Sequence, residues 1–248
     1  MQEPSPHDSG TTEEEEQYLR PLRYVYRFQF EDGTRKDFEI ELDRRTLELI
    51  PPYNRPKPNW TRLKYSQCAN CPLPDDVAYC PVAVNLSNLV EAFRDSYSYE
   101  HTHVTVEVPE RTYEKQTTIQ KGLSSILGIY MVTSNCPIMD HLRPMVRFHL
   151  PFASSTETVY RAVSMYLTKQ YFIWRSGDRP DWELKELDQM YKAVAEVNRG
   201  MSERLRNAST ADANVNAVII LFTLGELVDH SLEHGLVEIE RLFREGQL

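Results

Sequence analysis

Four cysteines are the residues of this chain whose types and spacing could do chemistry. Cys68 and Cys71 form a Cys-x-x-Cys pair, Cys80 follows after eight residues, and Cys136 lies far downstream. A metal tetrathiolate needs four soft sulfur donors, and a Cys-x-x-Cys pair supplies two of them from one turn of backbone. The pattern therefore predicts that all four sulfurs converge on one metal centre.

The identity of the metal is open between two choices. Zinc ribbons usually present two Cys-x-x-Cys pairs, whereas this chain has one pair and two single cysteines. One short pair with remote cysteines, followed by prolines, is closer to the ligand pattern of iron–sulfur proteins. The sequence therefore slightly favours an iron–sulfur cluster, with a structural four-thiolate zinc site as the alternative.

Prolines directly follow three of the cysteines, at Pro72, Pro81 and Pro137. Proline is favoured at the first position of a helix, so Cys80 and Cys136 are expected at helix N-caps. Free backbone N–H groups and the helix dipole lower the pKa of a thiol in such a position. An apolar stripe at helical spacing follows Cys80, so the expectation is better supported there.

Two other interpretations of the cysteines remain open. Free cysteine is among the most buried residue types, so the four could be separate small residues of the core. Cys68 and Cys71 could instead form a local redox pair, although the strand-then-helix context of a thioredoxin-like motif is missing. A shared metal is the preferred interpretation of the three.

Histidines offer a weaker set of candidates. His230 and His234 share one face of a helix, a geometry that can chelate a divalent metal. The apolar side of that helix lies elsewhere, so we expect a solvated face. His141 lies five residues after Cys136 and could support or replace a ligand, but a surface position is expected.

Sequence signatures of common enzyme classes are absent. The nine glycines form no P-loop, no G-x-G-x-x-G turn and no G-x-S-x-G elbow, and there is no H-E-x-x-H motif. The sequence therefore leans away from an enzyme.

Composition and charge place the chain among globular proteins. Of 248 residues, 41% are apolar and 26% charged, and the net charge is −9. Met1 to Leu19 contain six acidic residues, four of them consecutive, and no Lys or Arg, so we expect a disordered acidic tail. The remainder is nearly neutral and offers no charge pattern for nucleic acid.

The expected location is the cytoplasm. The acidic N-terminus lacks the apolar segment of a signal peptide, and the most apolar stretch, Ala217 to Val228, is too short for a bilayer. We therefore expect a soluble protein with no membrane partner. In a reducing compartment, clustered cysteines bind metal or act in redox chemistry more often than they form disulfides.

The elements that position the cysteines begin with strands. Tyr24 to Leu42 alternate as a β-hairpin around a two-residue Asp32-Gly33 turn, and Thr46 to Ile50 predict a third short strand. Val104 to Val108 and Tyr113 to Ile119 predict a later strand pair. One antiparallel sheet is expected to contain all of them.

Helices dominate the remainder. The 3.6-residue spacing of apolar positions predicts helices over Val82–Phe93, Leu123–Tyr130, a segment capped by Ser154 and Glu157, a segment from about Asp181, and Asp212–His234. The predicted fold is α+β: a small antiparallel sheet with a cysteine-rich loop, followed by a helical C-terminal half. The predicted regions are 1–19, 20–153 and 154–248, the last two packed as one unit.

Three functions are compatible with these features. The first is a metal-binding regulatory or adaptor protein without catalysis, with another protein as its partner. The second is an iron–sulfur redox or electron-transfer protein. The third is a small-ligand binding module with a pocket between sheet and helices and with structural cysteines. The sequence leaves open the metal, the partner and the oligomeric state.

Overall fold

A computed structural model describes residues 20–50 and 57–244, so the predicted acidic tail, residues 1–19, lies outside the described residues. The described part is an α+β fold, as the sequence predicts. Its four antiparallel strands form one sheet in the order β2-β1-β3-β4. The strands are β1 (Leu22–Phe30), β2 (Arg35–Leu42), β3 (His101–Val108) and β4 (Arg111–Thr118).

The hairpin β1–β2 follows the predicted alternation. Tyr24, Tyr26 and Phe28 point into the core, because residues two apart in a strand share one face. The turn differs from the prediction: the Phe30 N–H donates to the Thr34 carbonyl at 3.0 Å, which leaves a three-residue loop. Gly33, with φ of +83°, takes the left-handed position that such loops require.

The predicted third strand, Thr46 to Ile50, is wrong. The Asp43 carboxylate accepts a hydrogen bond from the Thr46 N–H at 2.8 Å, and this side-chain contact closes the chain into a turn. Only an isolated bridge, between Leu42 and Leu49, continues the pairing. Local hydrogen bonding by Asp43 therefore outweighs the strand propensity of the following residues.

Six α-helices lie in the described residues: α1 (Pro81–Ala92), α2 (Ile119–Val132), α3 (Ser155–Arg175), α4 (Lys185–Arg206), α5 (Ala213–Glu233) and α6 (Val237–Arg244). Three 3₁₀ segments accompany them: Asn59–Thr61, Leu63–Tyr65 and Met139–Phe148. The predicted capping box at the start of α3 is confirmed, because the Ser154 hydroxyl accepts from the Glu157 N–H while the Glu157 carboxylate accepts from the Ser154 N–H.

The core joins the sheet to the helices. Helix α2 approaches the sheet closely at Gly122, where a Cβ atom would lie 2.7 Å from the Phe28 ring. On the other side, α5 packs against α2, α3 and α4. One cluster of buried apolar side chains includes residues of β1, β2, β3 and all six helices.

Helix α5 is also the most apolar element. By length and composition alone this helix, Ala213–Glu233, could cross a membrane, with a hydropathy of 1.4 over its most apolar window. A single such helix is weak evidence, since core helices of soluble proteins pass the same test. The helix contacts three other helices, and 28% of its most apolar window is buried inside the protein.

Candidate functional site

The four cysteines line one small cavity. Cys68 and Cys71 lie in the loop after Leu63–Tyr65, Cys80 directly precedes α1, and Cys136 follows α2. Cys80 and Cys136 are each only 8% exposed, whereas Cys68 and Cys71 are half-buried, and all four are free thiols. The structure therefore brings together every cysteine that the sequence nominates as a ligand.

Local backbone geometry positions the first three cysteines. The Cys71 N–H donates to the Cys68 carbonyl at 3.1 Å, which closes the tight turn that Cys-x-x-Cys permits. Cys80 is the N-cap of α1 and Pro81 is its first residue, as predicted. The Cys80 N–H donates to the Thr61 carbonyl at 2.9 Å, and this bond ties the cysteine loop to the preceding 3₁₀ turn.

Cys136 departs from the predicted N-cap position. The following helix is a 3₁₀ segment that begins at Met139, and its N-cap is Ile138. The Cys136 carbonyl still accepts from the Asp140 N–H at 2.9 Å, so the chain turns directly after the cysteine. The turn aims the backbone N–H groups of Ile138 and Met139 at the Cys136 sulfur.

Burial shifts the pKa of Cys68, Cys80 and Cys136. It raises the pKa of Cys80 and Cys136, although nearby backbone N–H groups act in the opposite direction. The expected lowering at the N-cap is therefore wrong in its net direction, because desolvation of the thiolate dominates. At Cys68, burial and then the charges of the other three cysteines raise the pKa to about 12.

The spacing of the sulfur atoms is wider than a single ion requires. Among the described residues, one group of three potential metal ligands has its ligand atoms all within 4.8 Å of one another. That group is His230, Glu233 and His234. No three cysteine sulfurs therefore satisfy this limit, although all four side chains line the same cavity.

A buried arginine lies beside the cysteines. Arg204, on α4, is 1% exposed and also lines the cavity. Its guanidinium donates four hydrogen bonds, all to backbone carbonyls of the segment before the cysteine loop: to Trp60, to Arg62 at 2.6 Å, to Leu63 at 3.2 Å and to Ser66 at 2.7 Å. Arg204 thereby fixes the path of that segment.

The charge of Arg204 has no carboxylate partner within the described residues. Its Nε atom is buried and also lacks a hydrogen-bond acceptor there. Burial lowers the pKa of Arg204, while Cys80 and Cys68 raise it. A buried charge is costly unless it is hydrogen-bonded or paired, and here four backbone carbonyls accept from the guanidinium.

Helix α4 also approaches the site without a side chain. A Cβ atom on Gly200 would lie 2.8 Å from the Cys68 sulfur and 3.4 Å from the Cys68 Cα. Only glycine allows the helix to pack this closely against the cysteine loop.

The histidines do not contribute to the cysteine site. His230, Glu233 and His234 are all exposed on the last turn of α5, and the two imidazole rings lie 4.0 Å apart. The expectation of a solvated face is confirmed for this pair. His141 is exposed as well, as expected.

Comparison with known proteins gives a family and no function. No curated protein and no solved structure matches the chain. One family model matches residues 24–244, which include every residue of the cysteine site. The chain therefore belongs to the family described as a domain of unknown function, DUF6901.

Proposed function

We propose that Cys68, Cys71, Cys80 and Cys136 hold an iron–sulfur cluster and that the protein is a redox-responsive regulatory protein of the cytoplasm. The observation that carries the proposal is the cavity lined by all four cysteines with a buried arginine beside them. Nothing in the motif content indicates a substrate, so the proposal assigns no catalysis.

The spacing of the sulfurs supports a cluster over a single zinc ion. Four thiolates at about 2.3 Å from one zinc lie about 3.8 Å from each other in a tetrahedron. Sulfurs so placed would fall within 4.8 Å of one another, and no three of the four do. A cluster divides its cysteines among several irons, so its sulfurs stand further apart.

Charge supports the same choice. A cluster with four thiolates is anionic, and burying it requires a nearby cation. Arg204 supplies a guanidinium that no carboxylate engages among the described residues, and its unpartnered Nε–H is available to a sulfur. Hydrogen bonds to cluster sulfurs are among the features that set a reduction potential.

A regulatory role follows from the arrangement of bonds around Arg204. Reduction would add one electron to the cluster, taken from an external one-electron donor, and would increase the negative charge facing the guanidinium. The same guanidinium holds the carbonyls of Trp60, Arg62, Leu63 and Ser66. A change of charge at the cluster therefore acts on the segment that Arg204 orders.

Anaerobic purification with analysis of iron, acid-labile sulfide and zinc tests the cluster. We expect iron and sulfide in similar amounts and an absorbance band near about 400 nm that dithionite bleaches. Cys136→Ser should lose both. The double variant His230→Ala, His234→Ala removes the other group of candidate ligands and should retain the full iron content.

Other outcomes distinguish the alternatives. A colourless protein with one zinc would refute the cluster and establish a single-ion site. Protein with neither metal would show that the cysteines are buried thiols. For the regulatory role, hydrogen exchange of residues 57–81 is compared in the oxidised and the dithionite-reduced protein. Equal protection in the two states would contradict it.

A further inference from the structure

A second cavity, of about 500 Å³, lies among the helices and shares no lining residue with the cysteine cavity. Its walls come from β4, α2, the 3₁₀ segment Met139–Phe148, the loop before α3, and helices α3, α4 and α5. A volume of this size is typical of small-molecule sites in proteins.

The cavity has a polar mouth and an apolar interior. Its only exposed lining residues are Lys115, Lys121 and Ser154, so the opening lies at their end. Along α2 the lining changes from Lys121 and Ser125 to Ile129 and then Val132. Three methionines, whose flexible side chains adapt to different shapes, extend the apolar part: Met131, Met139 and Met145.

The charged residues that line the cavity are all positive, although the Glu157 carboxylate lies close enough to Arg161 and Lys115 to interact with both. Its lining includes Lys115, Lys121 and Arg161 and no Asp or Glu, in a chain whose net charge is −9. Arg161 is half-buried and donates to the carbonyls of Phe148 at 3.1 Å and Met145 at 3.3 Å. It forms no ion pair with a carboxylate within the part of the chain that the structure describes. This guanidinium is therefore available to an anion.

A neutral hydrogen-bonding group adjoins Arg161. Burial, with a contribution from the charge of Arg161, lowers the pKa of His149 to about 3. The uncharged ring lies 2.6 Å, through Nε2, from the Tyr26 hydroxyl. Either group can donate in this bond, depending on the tautomer, and in both tautomers the neutral ring carries one N–H donor and one acceptor nitrogen. The polar end thus combines positive charge with a neutral hydrogen-bonding ring.

One polar group inside the cavity has no partner. Asn198 lines the cavity, is 3% exposed, and its Oδ1 atom accepts no hydrogen bond from any described residue. A buried acceptor without a donor is destabilising, and a bound molecule with a donor group would satisfy it. Tyr191 of α4 lies near Arg161, and Asn198 is seven residues further on, about 10 Å along the helix.

We propose that this cavity binds an amphipathic carboxylate whose chain also carries a hydroxyl group. Arg161, Lys115 and Lys121 hold the carboxylate at the mouth, the apolar walls take the chain, and Asn198 accepts from the hydroxyl. A methylene group occupies about the volume of a water molecule, about 30 Å³, so the cavity accommodates roughly fifteen non-hydrogen atoms. This site is independent of the cysteine centre.

Isothermal titration calorimetry on the full protein with four ten-carbon compounds tests the proposal. They are 10-hydroxydecanoate, decanoate, decanol and decyltrimethylammonium. We expect 10-hydroxydecanoate to bind most tightly and decanoate next, with decanol at least about tenfold weaker than decanoate, because it lacks the charge-assisted hydrogen bonds. The cationic compound should bind weakest.

Variants test the two anchors. Arg161→Gln should weaken decanoate about tenfold and leave decanol unchanged. Arg147→Gln is its control, because Arg147 lies in the adjacent 3₁₀ segment, pairs with Glu110 and does not line the cavity. Asn198→Leu should remove the advantage of 10-hydroxydecanoate over decanoate.

Several results would overturn the proposal. Equal affinity for decanoate and decanol would refute the role of the cations, and this comparison holds on wild type even if Arg161→Gln does not fold. Equal affinity for decanoate and 10-hydroxydecanoate would refute the role of Asn198. Absence of binding by all four compounds would show that the cavity is not a site for such ligands.

Discussion

The two cavities lie against the same helix but are held in different ways. Val197, Met201 and Arg204 of α4 face the cysteines, whereas Tyr191, Val194 and Asn198 face the larger cavity. Loop residues supply most of the lining of the first cavity, and helices that pack against one another supply most of the lining of the second. A helix that borders a cavity is held in place by the packing of its other faces. A loop lacks such packing, so specific hydrogen bonds must hold it.

Few interactions hold the cysteine loop, and they are specific. Between residues 57 and 80, regular structure is limited to two short 3₁₀ turns and one isolated bridge, between Arg62 and Tyr79. Arg204 adds four hydrogen bonds from outside the loop. Breaking those interactions should therefore affect the cysteine region and leave the larger cavity intact.

Removal of one ligand should have the largest effect. Structural thiolate sites contribute on the order of 10 kcal/mol of folding free energy. Cys136→Ser should release the proposed cluster and expose residues 57–81, while the hairpin from Tyr24 to Leu42 and the helices after Ser154 stay folded. Hydrogen exchange of wild type and variant measures this. Equal protection of residues 57–81 in both would mean that Cys136 is not a ligand.

Loss of the buried guanidinium should rank second. Arg204→Leu leaves four carbonyls without their donor and the proposed cluster without a counter-charge, so the free energy of unfolding should fall by about 3–5 kcal/mol. Arg206→Leu, at an exposed position two residues away, should change it by less than about 0.5 kcal/mol. Urea denaturation under anaerobic conditions gives both values. Similar losses in the two variants would contradict the role assigned to Arg204.

Acid should lower the free energy of unfolding through His149. Its pKa is about 3 in the folded protein and 6.5 ordinarily, so between these values the unfolded chain binds the extra proton and stability rises with pH. From pH 7.5 to pH 5 this one group should lower the free energy of unfolding by about 2 kcal/mol. The contribution is fully present above pH 6.5 and is lost as the pH falls toward 3.

The variant His149→Gln isolates that contribution. It should lose less stability than wild type over the same pH interval in urea titrations. Asp229, whose pKa its neighbour Asp188 raises to about 6, acts in the opposite direction but is present in both proteins. A parallel decline in the two proteins would show that His149 is not desolvated.

Two glycines should give the smallest and most selective effects. Gly200→Ala places a methyl group 2.8 Å from the Cys68 sulfur, so the iron content per protein should fall. Its effect on metal-free stability should stay within about 2 kcal/mol, because helix propensity offsets overpacking. Gly128→Ala, on the wall of the larger cavity, meets its nearest atom at 3.8 Å and should stabilise α2 by about 1 kcal/mol. Iron loss in both variants would contradict the close packing at Gly200.

Local patterns predicted most of the regular structure. The alternation of Tyr24, Tyr26 and Phe28 and the capping box at Ser154 each act over a few residues, so the sequence shows them directly. The strand expected at Thr46 to Ile50 was wrong because a single side chain, Asp43, closes a turn there.

The site was predictable only in part. The spacing of the cysteines nominates all four, since residue type alone marks them. Arg204 was missed because its hydrogen bonds join residues 138 to 144 positions apart. A signal was present: Arg204 continues the buried stripe of Val197 and Met201 on α4, where a lone arginine is unusual. No sequence pattern indicates the larger cavity, because its volume depends on how completely side chains from several helices fill the space between them.

The reach of Arg204 has a consequence for the order of events during synthesis. The carbonyls that it holds, around Leu63, leave the ribosome 141 residues before the guanidinium does. At about 5–20 residues per second, this interval is about 7–28 s. During that time Cys68, Cys71 and Cys80 are already available, but the helix that encloses them has not been made. The proposed cluster would therefore have access to the cysteine loop before the chain is complete, and the synthesis of α4 would end that period.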